Sequence, residues 1–146
     1  MRLIFLTEHT LIILKHMKKE IQARTDVYQL VDCFYKKVRR DTLLGPIFNQ
    51  VIDDWPKHLQ RLTDFWETNL FFVSKFKGDP ILKHQQVDAQ NNYSINSMHF
   101  GVWLNLWFET LDEHFEGEKM NLAKDRARNM GTLFYLKMFV VQPQIK

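Results

Sequence analysis

From Asp26 onward the apolar side chains of Val27, Leu30, Val31, Phe34 and Val38 recur at the i, i+3, i+4, i+7 spacing of an amphipathic helix, with Thr25 placed to cap its start. Tyr35 stands at the edge of that stripe. Gly45-Pro46 is a turn signal, so this helix is expected to end near Thr42 and the chain to reverse there. A second stripe of Trp55, Leu59, Leu62, Phe65, Trp66 and Leu70 predicts a helix over 54–73, with Asp53 or Asp54 as cap and Pro56 tolerated in the first turn. His58 shares that inner face, one turn before Leu62. Between 74 and 97 the pattern fails: Gly78, Asp79, Pro80, Asn91, Asn92 and Ser94 mark irregular chain. Inside it, Asp79-Pro80 reads as the cap and first position of a short helix carrying Ile81, Leu82 and His84. Phe100, Trp103, Leu104, Trp107 and Leu111 predict a third long helix over 97–115, capped by Asn96 or Ser97. Met120, Ala123, Ala127, Met130 and Phe134 predict a fourth over 118–140. No segment reads as a strand. The expected class is all-α, with two pairs of long helices and an irregular segment between the pairs.

At 146 residues and 45% hydrophobic content the chain is long enough for one domain with a sizeable core. No Ser- or Gly-rich linker divides it, and no internal repeat is visible. Residues 17–146 are therefore read as a single domain. Residues 1–16 are read as an N-terminal extension, because the helical pattern begins after Met17. The apolar stretch 1–14 is interrupted by Glu8 and His9 and is too short to span a bilayer. It also lacks the long apolar run and small-residue cleavage site of a signal peptide.

The net charge of +3 is unevenly spread: residues 1–40 carry nine Lys/Arg against four Asp/Glu, and the remainder eleven against thirteen. Lys36, Lys37, Arg39 and Arg40 fall on one helix and read as a solvated face rather than a nucleic-acid surface. Neither nucleic acid nor membrane is an expected partner. The single Cys33 excludes an internal disulfide and any Cys-based zinc motif, which fits a reducing, cytoplasmic setting.

Chemistry is concentrated in polar residues on otherwise apolar faces, His58, Tyr35 and the indoles, since a buried polar group needs a partner. A lone histidine on such a face is commonly a satisfied core residue. His58, however, belongs to an ordered set of segments: FYKKVRRD (34–41), LGPIF (44–48), WPKHLQRLTDFW (55–66), LKH (82–84) and HFGVWLNLW (99–107). This succession resembles the group III truncated haemoglobins over residues 20–140. The resemblance implies a two-over-two helical sandwich, in agreement with the four long helices read from periodicity.

It further implies a haem b cofactor whose iron is held by His84, the histidine of LKH, through a neutral imidazole nitrogen. Tyr35, His58 and Trp103 correspond to the distal residues facing the bound ligand. Leu62 and Trp66 would line the same wall, and Phe48 would pack on the porphyrin edge. A Tyr hydroxyl or Trp N–H in a low-dielectric pocket favours a diatomic ligand that acquires negative charge, such as oxygen, over neutral carbon monoxide. The chain departs from the family pattern after His84, where a polar, Asn-rich stretch stands and the Leu-Pro pair is missing. His99 is therefore a rival for the axial position, or else a helix-start residue that meets a haem propionate.

The reading that follows is a haem-binding globin that takes oxygen, and nitric oxide or carbon monoxide as further ligands. Storage, scavenging, nitric-oxide dioxygenation and peroxide chemistry all remain open, and any oxidation would need an external reductase, since no flavin or nicotinamide domain is attached. The alternative is a cofactor-free helical interaction module whose Trp-rich faces are core. A zinc site from His58, His84 and His99 lacks any supporting spacing, and neither HExxH nor CxxC occurs. His9, His16 and His114 carry no motif and are expected to be exposed.

Overall fold

The computed structural model describes residues 7–9 and 17–141. Residues 1–6 and 10–16, most of the expected extension and with them His16, lie outside the described residues. His9 is exposed and His114 half-buried beside Phe115. Six helices of seven residues or more are present among the described residues: α1 (Arg24–Arg40), α2 (Gly45–Val51), α3 (Trp55–Phe71), α4 (Pro80–Gln90), α5 (Ser97–His114) and α6 (Glu118–Val141).

Helix α1 buries the expected stripe, with Tyr35 added to it. It starts at Arg24, ahead of the cap expected at Thr25. Asp26, in the first turn, reaches back to accept hydrogen bonds from the amides of Gln22 (2.9 Å) and of the N-cap Ala23 (3.1 Å), the reach-back half of a capping box. The Gly45-Pro46 signal marks a helix start as well as a turn. The Asp41 carboxylate accepts the amides of Leu43 and Leu44, both at 2.9 Å, and Pro46 presets the first turn of α2. Gly45 is required there, because a Cβ would lie 2.7 Å from the Arg39 carbonyl oxygen.

Asp54 caps α3 by accepting from Lys57 N at 3.1 Å, and Pro56 sits in its first turn. The helix stops at Phe71, two residues short of expectation. Phe72 adopts the left-handed conformation (φ 57°), and the Lys119 ammonium donates to the Leu70 carbonyl at 2.6 Å, placing a cation at the negative end of the helix. Asp79 caps α4 as anticipated, accepting from Leu82 N at 3.0 Å. The expected short helix, α4, runs for 11 residues and ends where Asn92 and Tyr93 turn left-handed.

The expectation of no strand is corrected in a small way. Lys19–Glu20 (β1) pairs in parallel with Phe115–Glu116 (β2). Two residues each are too few to carry a period-2 pattern, so such a bridge leaves no mark in the sequence.

Helices α1 and α3 pack together, α5 and α6 pack together, and α1 lies on α5, which gives two layers of two helices; α4 flanks them against α6. Arg24 ties α1 to α3 through Asp64 (2.5 Å), Glu67 (2.6 Å) and Gln60 (3.0 Å), and Lys37 ties α1 to α5 through Glu113 (2.9 Å). Surface pairs of this kind contribute about 0–1 kcal/mol each. The layers are held chiefly by buried rings. Trp66 of α3 stacks on Trp107 of α5 with centroids 4.3 Å apart, and Phe34 of α1 meets Trp107 edge-on at 4.9 Å. The Trp107 indole N–H is answered by the Ala123 carbonyl at 3.2 Å, so this buried polar group carries no penalty.

Candidate haem site

Tyr35 projects from the inner face of α1 into a ring cluster. Its centroid lies 5.8 Å from Phe48 of α2 and 5.7 Å from both Trp55 and His58 of α3. His58 and Trp55 are themselves edge-on at 5.6 Å. Trp103 of α5 completes the group: burial pushes the Tyr35 phenol well above its ordinary pKa, and a hydrogen-bonding interaction with the Trp103 side chain partly opposes that shift. Trp103 also meets Phe34 edge-on at 5.7 Å and lies parallel to Trp107 at 6.2 Å. Four helices thus bring Tyr35, Phe48, His58 and Trp103 to one place.

His58 is the unusual member. Its buried Nε2 has no hydrogen-bond partner among the described residues. Burial, followed by the positive charges of Arg61 and Lys83, pushes its pKa down to about 4, so the ring is neutral at pH 7. An unanswered buried nitrogen costs about 1–3 kcal/mol. Such a group is stabilised by any ligand that reaches it and hydrogen-bonds to it. Lys83 stands directly before His84, so α4 reaches the electrostatic neighbourhood of His58 on α3.

His84 lies in α4 with its ring tilted over Phe134 of α6, centroids 4.5 Å apart. Its Nδ1 is 2.6 Å from the Pro80 carbonyl oxygen. A carbonyl only accepts, so Nδ1 carries the proton and Nε2 keeps its lone pair. Burial lowers the pKa of His84, with the Pro80 hydrogen bond opposing, and this favours the same neutral form. A neutral imidazole with one nitrogen anchored to a carbonyl and the other free is the arrangement found at histidine metal ligands.

The remaining sequence candidates lie elsewhere or are otherwise engaged. Trp66 is 3% exposed and given over to its stack with Trp107, and Leu62 is half-buried against the core. His99 sits in the first turn of α5, where its Nδ1 accepts from the Asn96 amide at 3.1 Å while Asn96 Oδ1 accepts from Met98 N at 3.0 Å. That reciprocal cap occupies one of its nitrogens. Sequence reasoning missed Trp55, Arg61, Lys83 and Phe134 as members of this region. Arg61 was readable, since it lies three residues after His58 and so on the same helical side; Phe134 depends on how α4 and α6 meet and was not.

No family model matches the chain. Its helices nonetheless superpose on solved globins of one architecture. A 2/2 hemoglobin from Synechococcus sp. PCC 7002, solved in the cyanomet state with covalently attached heme, matches with a TM-score of 0.64 at 20% identity, over 81% of this chain and 93% of that one. The fold is the two-over-two globin. A group III truncated hemoglobin from Campylobacter jejuni matches with a TM-score of 0.76 at 29% identity, over 88% of this chain and the whole of the other. In sequence, a group 3 truncated hemoglobin of Campylobacter jejuni subsp. jejuni serotype O:2 is 30% identical over 122 residues, 81% of this chain and 92% of its own length. The chain belongs to the group 3 truncated haemoglobins, and membership implies a haem. The residues present fit that group: a free imidazole lone pair at His84, an unanswered buried nitrogen at His58, and the positive charges of Arg61 and Lys83 near enough to act on His58.

Proposed function

We propose that the chain binds haem b with His84 Nε2 as axial ligand and takes oxygen, or another diatomic gas such as nitric oxide or carbon monoxide, on the side of Tyr35, His58 and Trp103. The observation that carries this reading is the Nδ1–Pro80 hydrogen bond, which fixes the tautomer and aim of His84 and leaves Nε2 as a ligand atom. Bound haem supplies reversible gas binding and one-electron redox chemistry at its iron. The protein's own contribution is positional. Tyr35 and Trp103 present an O–H and an N–H in a water-poor, aromatic enclosure, where a donor acts more strongly on a polarised ligand than it does in water. Neutral His58 offers its orphaned Nε2 at the same wall. Phe48 and Leu62 supply apolar surface, with Trp66 holding the layer behind them, and Arg61, Lys83 and the unengaged nitrogen of His99 answer the propionates.

Turnover, where it occurs, draws electrons from an external reductase, in a reducing cytoplasm compatible with the free Cys33. The test is direct. The purified chain, or the chain mixed with hemin, shows an intense Soret band; His84→Gly loses haem and regains it in part with added imidazole, whereas His99→Gly keeps the band. Reversal of the two variants moves the axial ligand to His99. A chain that stays colourless with hemin is an interaction module instead.

A further inference from the structure

At the end of α1 an open concavity of ≈ 670 Å³ is lined by Lys36, Arg39, Arg40, Asn49, Ile52, Asp53 and Trp55. Its volume lies in the range of small-ligand sites. Two guanidinium groups and an ammonium converge there against one lining carboxylate, Asp53. Lys36 is 3.0 Å from Asp32, but the pair is exposed and weak. Arg40 is exposed and has no carboxylate within ion-pair distance among the described residues. Arg39 is held in place twice, donating from Nε to Asn49 Oδ1 at 3.2 Å and lying 4.3 Å over the Trp55 ring. Its fork is thereby preorganised, which lowers the cost of ordering it around a ligand.

We propose that this concavity binds a compact, multiply charged phosphoryl anion, a polyphosphate or a phosphorylated metabolite. Concave shape separates it from a surface for an acidic protein, which would need a broad, flatter field. Guanidinium groups match phosphoryl oxygens in a bidentate manner, and several negative charges are needed to answer several positive ones. Occupancy has a route inward. Trp55 is both the ring under Arg39 and the neighbour of Tyr35 and His58, at 5.7 and 5.6 Å. An anion gripped by Arg39 where it lies on Trp55 fixes that indole, and through it bears on the distal pair. This coupling, though not the binding, rests on the haem reading above.

The full chain as purified is titrated with inorganic triphosphate by calorimetry at physiological ionic strength, beside citrate and a short polyglutamate. Micromolar binding of triphosphate is expected, weakened about tenfold or more by Arg40→Gln and by Lys36→Gln. Both changed residues are exposed, so folding is preserved. Absence of triphosphate binding, equal binding by citrate, binding of polyglutamate alone, or wild-type affinity in both variants each overturns the site. On the hemin-loaded chain, saturating triphosphate changes the carbon monoxide association rate at least twofold, and Arg39→Gln abolishes that response; no change overturns the inward coupling. A chain that takes up no hemin defeats the haem reading, while calorimetry still decides the anion site.

Discussion

Tyr35 and Trp103 carry an O–H and an N–H in a cluster built almost wholly of rings, so removing either leaves shape nearly intact while deleting one polar group. Tyr35→Phe and Trp103→Phe are each expected to speed oxygen dissociation with a much smaller effect on carbon monoxide. A donor to a charged acceptor is worth about 1.5–3 kcal/mol, which corresponds to about one to two orders of magnitude in rate. Stopped-flow dissociation checks this, and wild-type oxygen rates in both variants remove the distal pocket as drawn. His58 gives a prediction of a different kind. Its folded pKa of about 4 lies below the ordinary histidine value of 6.5, so between these values the unfolded chain holds a proton that the folded chain lacks. Stability is therefore complete above about pH 6.5 and falls as pH drops toward 4. The loss is on the order of 2 kcal/mol, the partly exposed ring being screened from the full effect of the shift. Urea unfolding at pH 7 and pH 4.5 should show His58→Gln losing less stability across that window than the wild type; equal losses remove His58 as the source. The histidine was legible from its place on an apolar stripe. Its missing partner was not, because an orphaned nitrogen is a fact of three-dimensional packing.

At the scale of elements, the long helices were legible because each buries a periodic stripe against a neighbour: Val27 to Val38 in α1, Trp55 to Leu70 in α3, and Trp107 with Leu111 in α5. What escaped was short structure set by backbone and turn chemistry. Helix α2 was hidden behind Gly45-Pro46, which serves as turn and helix start together. Helix α4 was legible at its Asp79-Pro80 start but not in its full length, since a helix that presents one face to α6 and the other to solvent over 11 residues needs few apolar positions. Gly45 tests this view of α2. A methyl group there meets the Arg39 carbonyl oxygen at 2.7 Å, and backbone cannot yield as a side-chain tip can. Gly45→Ala should push α2 from the end of α1 and cost about 1–3 kcal/mol. A urea midpoint within error of the wild type would show the approach to be relaxed. The displacement should also loosen Phe48 against Tyr35, so the oxygen dissociation rate of this variant is expected to rise, although no distal donor has been removed.

For the whole molecule, the two-over-two arrangement was within reach of the sequence because four long stripes and one irregular stretch admit few packings, and the order of motifs pointed to a single family. The approach of α4 to α6 and the β1–β2 bridge were out of reach, each depending on contacts between segments distant in the chain. The bridge bears on where the domain begins. Ile21 is fully buried in the main core, Lys19 pairs with Asp26 at 2.9 Å, and Lys19–Glu20 hydrogen-bonds alongside Phe115–Glu116. A chain cut after residue 16 keeps all three. A chain cut after residue 22 loses all three, and loss of a buried isoleucine alone costs about 2–5 kcal/mol by analogy with truncation to alanine. Removal of residues 1–16 should therefore leave the thermal midpoint and the hemin stoichiometry essentially unchanged, while removal of 1–22 should lower the midpoint by about 5 °C or more, a shift that follows from about 1 kcal/mol per 2–8 °C for a domain in this size range. Differential scanning calorimetry and hemin titration on the two truncations decide it. Loss of haem in the shorter truncation would place residues 1–16 on the core, and equal stability of both would make β1 and Ile21 dispensable.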